Sequence, residues 1–460
     1  MIEVNNSKKA SINNIKDICE IIWYLEKKYD LLDWEIDGVK IWQHLRMNIY
    51  CTIAEKTGVL ENGHPVNLEK KSFMDKMIFS FNIFVNFLFN NLYFKPLKVD
   101  IIIFSVLREK LIDNKYDDVY TKFLFDEFKK GKIRCFRVYH YLSMNILKNN
   151  KTTYLDFNHL FRNRNSFKNK LILTNENRVK IKDLNIEINN IFGINLDLRL
   201  IFKQNIVLFK ENYALYKRLF LKKRPKKIFI ICSYGKGSII KAAKDLNIEV
   251  IELQHGNFSL YHLGYSFPER DKELDYFPDK FYFWGSFWSE LINFPLKQEN
   301  IVNYGFQYLR YTRNQYNHIE RKANQIVVLS QGSISDKLIS ILEKNIDKLK
   351  DYKIIYKLHP DESINEYMSR LSDYNNVEII KNKDLYQIFA ESAYAIGIYS
   401  TAVYEGIAFG CKPILVDIPG IEYMEKIIKD YNIPVLTENA DIIRILKEAY
   451  ICNINPNDFY

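Results

Sequence analysis

Two apolar runs in the C-terminal third of the chain end in residues that could bind phosphate. Residues 354–358 are followed by His359, and residues 395–399 are followed by Ser400 and Thr401. Apolar runs of this length indicate buried strands. Because ligands of open α/β sheets bind outside the carboxyl ends of the strands, these polar residues stand where a ligand would lie.

The residues after Ser400 predict a helix whose first turn could hold a nucleotide. Thr401 stands at its start, and Glu405 follows one turn later on the same face. A helix N-terminus with hydroxyl groups attracts phosphate, and a carboxylate one turn deeper can accept hydrogen bonds from ribose hydroxyls. The alternatives are an ordinary N-cap at Ser400 and a salt bridge of Glu405 on a solvated face, which the glycine-rich surroundings disfavour. The spacing predicts a nucleotide monophosphate or diphosphate site.

His359 is expected to contact the leaving phosphate from the neighbouring strand. Lys357 lies two residues before it, and Pro360 keeps His359 out of the helical region. A histidine here could donate to phosphate; the alternative is a histidine that ties a loop. The first strand–helix turn of this unit could let the backbone approach phosphate or sugar, and it contains Gln331, Gly332 and Ser333.

A second candidate group lies at an earlier strand tip. His255 could act as a general base on an acceptor hydroxyl, and Glu252 points to the same side of the strand, from which it could orient the histidine. The alternative is a buried structural pair. Gln254 and Gly256 flank His255, and Glu269 in the following loop is a further candidate for acceptor contact.

Three segments of the sequence resemble a known family. Residues 357–360 read KLHP, and residues 399–413 fit YST-x3-E-G-x-A-F-G-x-K-P. Both resemble the donor domain of bacterial GT-B glycosyltransferases that build capsule and lipopolysaccharide, including sialyltransferases, Kdo transferases and teichoic-acid glycerophosphotransferases. Residues 252–256, ELQHG, resemble the E-x-Q-H-G segment of surface-polysaccharide proteins. The resemblance covers roughly residues 226–436.

The resemblance and the strand–helix alternation after Val99 predict the same architecture. We expect an α/β protein of the GT-B type, with two Rossmann-like domains facing a central cleft and a helical N-terminal extension. The expected divisions are 1–96, helical and possibly membrane-associating; 97–320, the acceptor domain; and 321–460, the nucleotide-sugar donor domain.

Composition excludes several other classes. The 460 residues carry a formal charge of +10, which suits an anionic substrate or membrane surface, but no motif for nucleic-acid binding is present. Six cysteines without a C-x-x-C pair predict neither zinc nor disulfides and fit a reducing cytoplasm. Gly235-Lys236-Gly237 lacks the spacing of an ATP or NAD loop. We expect no cofactor and no metal, with charge stabilised by Lys357, His359 and the helix dipole.

The segment 77–94 is the most apolar window of the chain. Asparagines recur every four residues within it, and lysines flank it, which makes a membrane-spanning helix unfavourable. An interfacial helix on an anionic membrane is one interpretation, and would place the protein at the inner face of the plasma membrane. A helix buried against the N-terminal domain is the other.

These observations lead to one expected function and three alternatives. We expect a metal-independent glycosyltransferase that moves a sugar from a nucleotide-sugar to a glycan or lipid-linked glycan of a bacterial surface polysaccharide. The resemblance favours a CMP-linked donor, with UDP and GDP donors open. The alternatives are a transferase of glycerol phosphate from CDP-glycerol, a nucleotide-sugar epimerase, and a catalytically silent scaffold for capsule assembly.

Overall fold

The computed structural model describes residues 14–59, 98–106, 108–139, 173–269, 272–332, 335–359 and 362–460, with isolated positions 12, 74, 77, 81, 91, 92, 153 and 154. Ser333, Pro360 and most of the segment 77–94 lie outside the described residues. The membrane-binding interpretation of that segment therefore stays a prediction. Within the described residues, no helix combines the length and the apolar character needed to cross a membrane.

The strands of the described chain fall where short apolar runs occur in the sequence. They are β1 Ile101–Ser105, β2 Glu109–Ile112, β3 Lys115–Asp118, β4 Cys135–Tyr139, β5 Thr153–Tyr154, β6 Lys227–Ile231, β7 Glu249–Leu253, β8 Lys280–Phe283, β9 Ile301–Asn303, β10 Lys322–Leu329, β11 Lys353–Lys357, β12 Val377–Ile380, β13 Ser392–Gly397, β14 Lys412–Val416 and β15 Val435–Leu436.

The helices alternate with these strands after an initial helical pair. They are α1 Ile15–Lys28, α2 Ile41–Lys56, α3 Lys122–Lys130, α4 Asn175–Phe192, α5 Leu198–Lys223, α6 Gly237–Lys244, α7 Ser286–Leu291, α8 Gln307–Tyr316, α9 Ser335–Ile346, α10 Ile364–Leu371, α11 Leu385–Glu391, α12 Thr401–Ala408, α13 Glu425–Tyr431 and α14 Ile442–Ile451.

The strands form two parallel sheets. The first has the order β5-β4-β1-β6-β7-β8-β9 and the second the order β12-β11-β10-β13-β14-β15, with parallel pairing throughout both. Central strands such as β1 are buried along their whole length, as parallel strands covered by helices on both faces must be. The second order reverses beside β10, which is the Rossmann pattern. The predicted α/β class of GT-B type, with two Rossmann-like halves, is confirmed. The first half is built around the sheet of β1 and β4–β9, and the second half around the sheet of β10–β15.

The antiparallel hairpin of β2 and β3 was not among the predicted elements. Its turn residues Asp113 and Asn114 have φ values of +51° and +61°, the left-handed conformations of a tight two-residue hairpin turn. The flanking strands are mostly exposed and polar, so they lack the apolar alternation that marks a strand in a sequence. The hairpin follows β1 directly and therefore lies at the carboxyl end of the first sheet.

A buried ion pair anchors the N-terminal helices to the first half. The guanidinium of Arg46 on α2 bonds both carboxylate oxygens of Glu26 on α1, at 2.8 and 2.9 Å, and both side chains are almost completely buried. Arg46 also donates to the carbonyls of Leu263 and Ser266, and its guanidinium lies 4.2 Å from the ring centroid of Phe267. The pair thus holds the loop that follows β7.

The two halves touch through the N-terminal helices and through the C-terminal tail. The Tyr50 hydroxyl on α2 lies 2.6 Å from that of Tyr423, and the Ile15 N–H donates to Glu422. At the other end, the Trp288 indole donates to the carbonyl of Phe459 at 2.7 Å. One hydrophobic core accordingly includes α1, α2 and parts of both halves.

We predict that Arg46→Met lowers the free energy of unfolding by about 3–5 kcal/mol, because it leaves Glu26 buried without its counter-charge. Urea unfolding followed by circular dichroism would measure this. The matched control is Arg134→Met, which removes an exposed partner of Asp100 and should change little. Equal effects of the two substitutions would contradict the role assigned to the buried pair.

Candidate functional site

The candidate group around His255 and the candidate group around Thr401 meet at the junction of the halves. Asn257, just after β7, donates through its backbone N–H to the Thr401 hydroxyl at 3.2 Å, and its side-chain carbonyl accepts from that hydroxyl at 3.2 Å. Its amide group donates to the carbonyl of Tyr399 at 2.7 Å. A Cβ on Gly256 would lie 3.7 Å from the Thr401 hydroxyl. The segments around His255 and around Thr401 thus form one site.

The start of α12 is capped by its own residues. The Ser400 hydroxyl accepts from the N–H of Ala402 at 3.2 Å, and the Ser400 carbonyl accepts from the N–H of Val403 at 3.0 Å. Ser400 is therefore the N-cap of the helix, and the hydroxyl of Thr401 is hydrogen-bonded to Asn257. Attraction of phosphate to this end would come from the helix dipole and from nearby cations.

Glu405 lies one turn into α12 and is buried, as its glycine-rich surroundings suggested. Burial raises the pKa of Glu405 to about 7, against the opposing effects of the Arg108 charge, a hydrogen bond with Tyr386 and the Lys110 charge. Arg108 and Lys110 belong to the first half, so this carboxyl faces across the junction. It is a buried group that changes charge near neutral pH.

Cations from the β2–β3 hairpin region are functional candidates that sequence reasoning missed. Arg108 donates to the hydroxyl of Tyr120 at 3.0 Å and acts on Glu405. Lys110 is close enough to Lys357 of the second half that burial and the Lys110 charge together lower the pKa of Lys357. The charges of Arg108 and Lys110 therefore act on residues of the other half. An Arg-x-Lys pair directly after a buried strand was the available signal.

His255 is held in an aromatic setting at the end of β7. Its Nε2 lies 3.4 Å from the Tyr234 hydroxyl and its Nδ1 lies 3.4 Å from the Tyr265 hydroxyl. The His255 carbonyl accepts from Tyr120 at 2.5 Å. Burial, together with nearby positive charges, lowers the pKa of His255 to about 3. The imidazole is therefore neutral and can accept a proton, although only weakly until an anion lies nearby.

Glu252 acts on His255 through Tyr265. The Tyr265 hydroxyl donates to Glu252 Oε1, which also accepts the N–H of Ser233 at 3.1 Å. Glu252 is completely buried, its Oε2 has no hydrogen-bond partner among the described residues, and burial raises its pKa to about 7. The sequence placed both groups on one side of the strand but did not identify the tyrosine between them.

This arrangement fixes how His255 would take a proton. Because the Tyr265 hydroxyl donates to Glu252, its oxygen is left to accept from the Nδ1–H of His255. That tautomer leaves the Nε2 lone pair as the basic position, beside Tyr234. A proton gained at Nε2 would be stabilised through Tyr265 by the Glu252 carboxylate. The group has the form of a general base with an orienting acid.

The predicted His359 and Lys357 lie at the end of β11 with a partner that was missed, Glu362. The His359 side chain is exposed, and its backbone N–H donates to Glu362 Oε2 at 2.5 Å. Glu362 is buried and accepts from Ser330 at 2.7 Å and from Tyr367. Lys357 donates to backbone carbonyls at 2.6 and 3.2 Å. Glu362 therefore helps to fix the backbone at His359.

The remaining predicted residues occupy different environments. Gln254 is buried, donates to the Gly256 carbonyl and accepts from the N–H of Trp284, so its amide holds the turn. Glu269 is exposed in the loop after β7. Gln331 is half-buried with its Oε1 unpartnered among the described residues, and the Gly332 carbonyl accepts from Ser335 on α9.

Comparison with known proteins gives likeness at the level of fold. No family model matches the sequence, and no curated protein is significantly similar to it. Among solved structures, UDP-GlcNAc 2-epimerase from Neisseria meningitidis bound to UDP-GlcNAc shares 11% identity, with 78% of this chain and 95% of that chain covered and a TM-score of 0.47. MurG from Acinetobacter baumannii shares 10%, with 78% and 92% covered and a TM-score of 0.42. Such low identity concerns the fold alone.

We predict that Glu252→Gln gains stability relative to the wild type as pH rises. The folded pKa of about 7 lies above the unfolded value of 4.5, so the native state retains a proton that the unfolded state loses. The contribution of Glu252 to the free energy of unfolding therefore falls by up to roughly 3 kcal/mol as pH rises from 4.5 to 7. Glutamine does not titrate, so the variant does not lose this stability. Urea unfolding across pH 4.5–8 would measure the difference.

The control for this experiment lies on the same strand. Lys227 and Lys280 lower the pKa of Glu249 although burial opposes them. The wild type should therefore become more stable relative to Glu249→Gln as pH rises through the ordinary glutamate range, the opposite sign. A pH-independent difference for Glu252→Gln would contradict the assigned pKa.

We also predict that Asn257 and Thr401 are energetically coupled. A double-mutant cycle of Asn257→Ala and Thr401→Val should give an interaction energy of roughly 0.5–3 kcal/mol in unfolding, since the two side chains bond directly. Thr401→Ser retains the hydroxyl and should preserve most of it. Strictly additive single effects would mean that the contact does not join the halves.

Proposed function

We propose that the protein is an enzyme acting on a nucleotide-linked sugar, with the nucleotide on the second half and the reacting sugar facing His255. The observation that supports this most is the contact of Asn257 with Thr401, which joins the carboxyl ends of β7 and β13. A ligand at this junction would meet both groups of side chains.

The nucleotide phosphate would be stabilised by several cations and a helix N-terminus. The charges of Arg108 and Lys110 act on Glu405, one turn into α12, and the Lys110 charge acts on Lys357. Preorganised positive charge of this kind stabilises the charge that develops on a departing phosphate. Glu405 is protonated in part near neutral pH. Its ionised form would accept a hydrogen bond from a ribose hydroxyl, and its protonated form would donate one to a ribose oxygen.

For the reaction, we propose transfer of the sugar to an acceptor hydroxyl of a bacterial surface glycan. His255 Nε2 would take the hydroxyl proton, the hydroxyl oxygen would bond the anomeric carbon, and the nucleotide would leave with the electrons of the broken bond. Glu252 would stabilise the protonated imidazole through Tyr265. A cytoplasmic protein bound to the inner membrane surface belongs to the same proposal.

Epimerisation of a nucleotide-sugar without an acceptor is the second candidate. It requires one group to remove a proton and another to return one, and the linked pair of His255 and Glu252, whose pKa values lie far apart, could divide these tasks. The UDP-GlcNAc 2-epimerase described above is named for such a reaction. Since its likeness to this chain is one of fold, the support for epimerisation comes from the side chains.

We predict that one of CMP, CDP, UDP and GDP raises the melting temperature of the protein. A ligand at about 100 times its dissociation constant adds about 2.7 kcal/mol of stability. Arg108→Ala combined with Lys357→Ala should abolish this shift, because it removes phosphate-binding charge from both halves. His255→Ala should retain the shift and lower turnover by roughly 10²–10⁴-fold.

The corresponding sugar donor, incubated with and without an acceptor glycan, would then separate the reactions. Free nucleotide formed only with acceptor supports transfer, a new sugar isomer formed without acceptor supports epimerisation, and CMP released from CDP-glycerol supports glycerophosphate transfer. Absence of any nucleotide-dependent shift would overturn the proposed site in favour of a silent scaffold. A shift that survives Arg108→Ala with Lys357→Ala would overturn it by placing the nucleotide elsewhere.

A further inference from the structure

A cavity of about 520 Å³ opens where the chain passes from the first sheet to the second. Arg310 and Arg313 of α8 line one side, and Arg321, just before β10, lines another. Ala390 of α11 and Phe409 at the end of α12 contribute from the second half. The cavity is therefore built by both halves and, among its described lining residues, carries three cations and no carboxylate.

Two glycines in left-handed conformations make room for these arginines. Gly305 has φ +86°, and a Cβ there would lie 2.5 Å from Nη2 of Arg310. Gly410 has φ +85°, and a Cβ there would lie 2.9 Å from Nη1 of Arg321. Arg321 also donates to the carbonyls of Gly410 and Phe409, at the end of α12. The backbone thus fixes the guanidinium of Arg321 and leaves space for that of Arg310.

Within the described part of the chain, no salt bridge pairs Arg310, Arg313 or Arg321 with an acid. Arg310 and Arg313 lie three residues apart and share one face of α8. Burial, followed by the charge of Arg310, lowers the pKa of Arg313, and no described carboxylate acts in the opposite direction. Converging cations of this kind raise the local concentration of anions.

We call this space, lined by Arg310, Arg313 and Arg321, the linker cavity. We propose that the linker cavity binds a small ligand carrying one or two phosphate groups through these three arginines. Guanidinium groups recognise phosphate oxygens with paired hydrogen bonds, and the volume lies within the range of small-molecule sites. A free phosphorylated metabolite and the headgroup of an anionic lipid offer this same chemistry.

The linker cavity is separate from the nucleotide site proposed above. Ser400 and Thr401 lie at the N-terminal end of α12, whereas Phe409 follows its C-terminal end. A helix of this length spans about 12 Å. The inference therefore does not depend on the proposed enzymatic function, and the two sites can be tested with different variants.

Calorimetric titration with inorganic pyrophosphate tests the site directly. Arg310→Ala with Arg313→Ala should weaken binding roughly 100-fold, about tenfold for each charged hydrogen-bonding group lost. The matched control is Arg178→Ala with Arg199→Ala, which removes the same charge from exposed positions on α4 and α5 and should leave binding unchanged. Arg108→Ala with Lys357→Ala should leave this binding event in place.

A second arm identifies the source of the phosphate. Co-sedimentation with phosphatidylglycerol vesicles that is lost in the Arg310/Arg313 variant, but kept in the Arg178/Arg199 variant, assigns a lipid headgroup. If the alanine variant does not fold, Arg310→Lys with Arg313→Lys keeps the charge, loses the paired geometry and should still weaken binding. Absence of binding to both probes, or equal loss in the site and control variants, would overturn the proposal.

Discussion

The guanidinium of Arg46 is the group on which the first half of the candidate site depends. It is buried with Glu26, and a buried charge is tolerated only when its hydrogen bonds are satisfied. Two of those bonds go to the carbonyls of Leu263 and Ser266, on either side of Tyr265. Tyr265 in turn connects Glu252 to His255. The N-terminal helices therefore do more than cover the sheet. They set the position of the Tyr265 hydroxyl, which lies between Glu252 and His255.

The junction between the halves places a second constraint on the site. Asn257 forms hydrogen bonds with both the Thr401 hydroxyl and the carbonyl of Tyr399. The loop after β7 and the start of α12 are therefore fixed relative to each other. Other contacts between the halves, such as Tyr50 with Tyr423 and Trp288 with Phe459, act in the same direction. A site made of two halves needs these fixed contacts. Arg108 and Lys110 of the first half and Lys357 of the second can reach one ligand only when the halves keep their arrangement.

The fold could be predicted because its signals are local. Apolar runs such as those of β6, β10 and β13 end in turns, and alternation with helices implies parallel pairing. The polar ends of β7 and β13 were predicted to carry the site, and they meet. Tyr265 and Glu362 could not be found in this way, because they lie in irregular segments whose burial is decided by tertiary packing. The hairpin cations were missed for a related reason: exposed polar strands have no periodicity that distinguishes them from a loop.

Burial of carboxyl groups explains why the junction keeps its positive charge. Glu405 and Glu252 are buried without a cation held in a salt bridge among the described residues, and burial raises the pKa of each to about 7. Because Glu405 is protonated in part near neutral pH, it neutralises Arg108 and Lys110 less than an ionised carboxylate would, and these cations stay more available to an anionic ligand. Fully ionised carboxylates at the same positions would form internal ion pairs and compete with phosphate. The desolvation of Glu405 thus preserves the positive charge that a phosphate-binding junction requires.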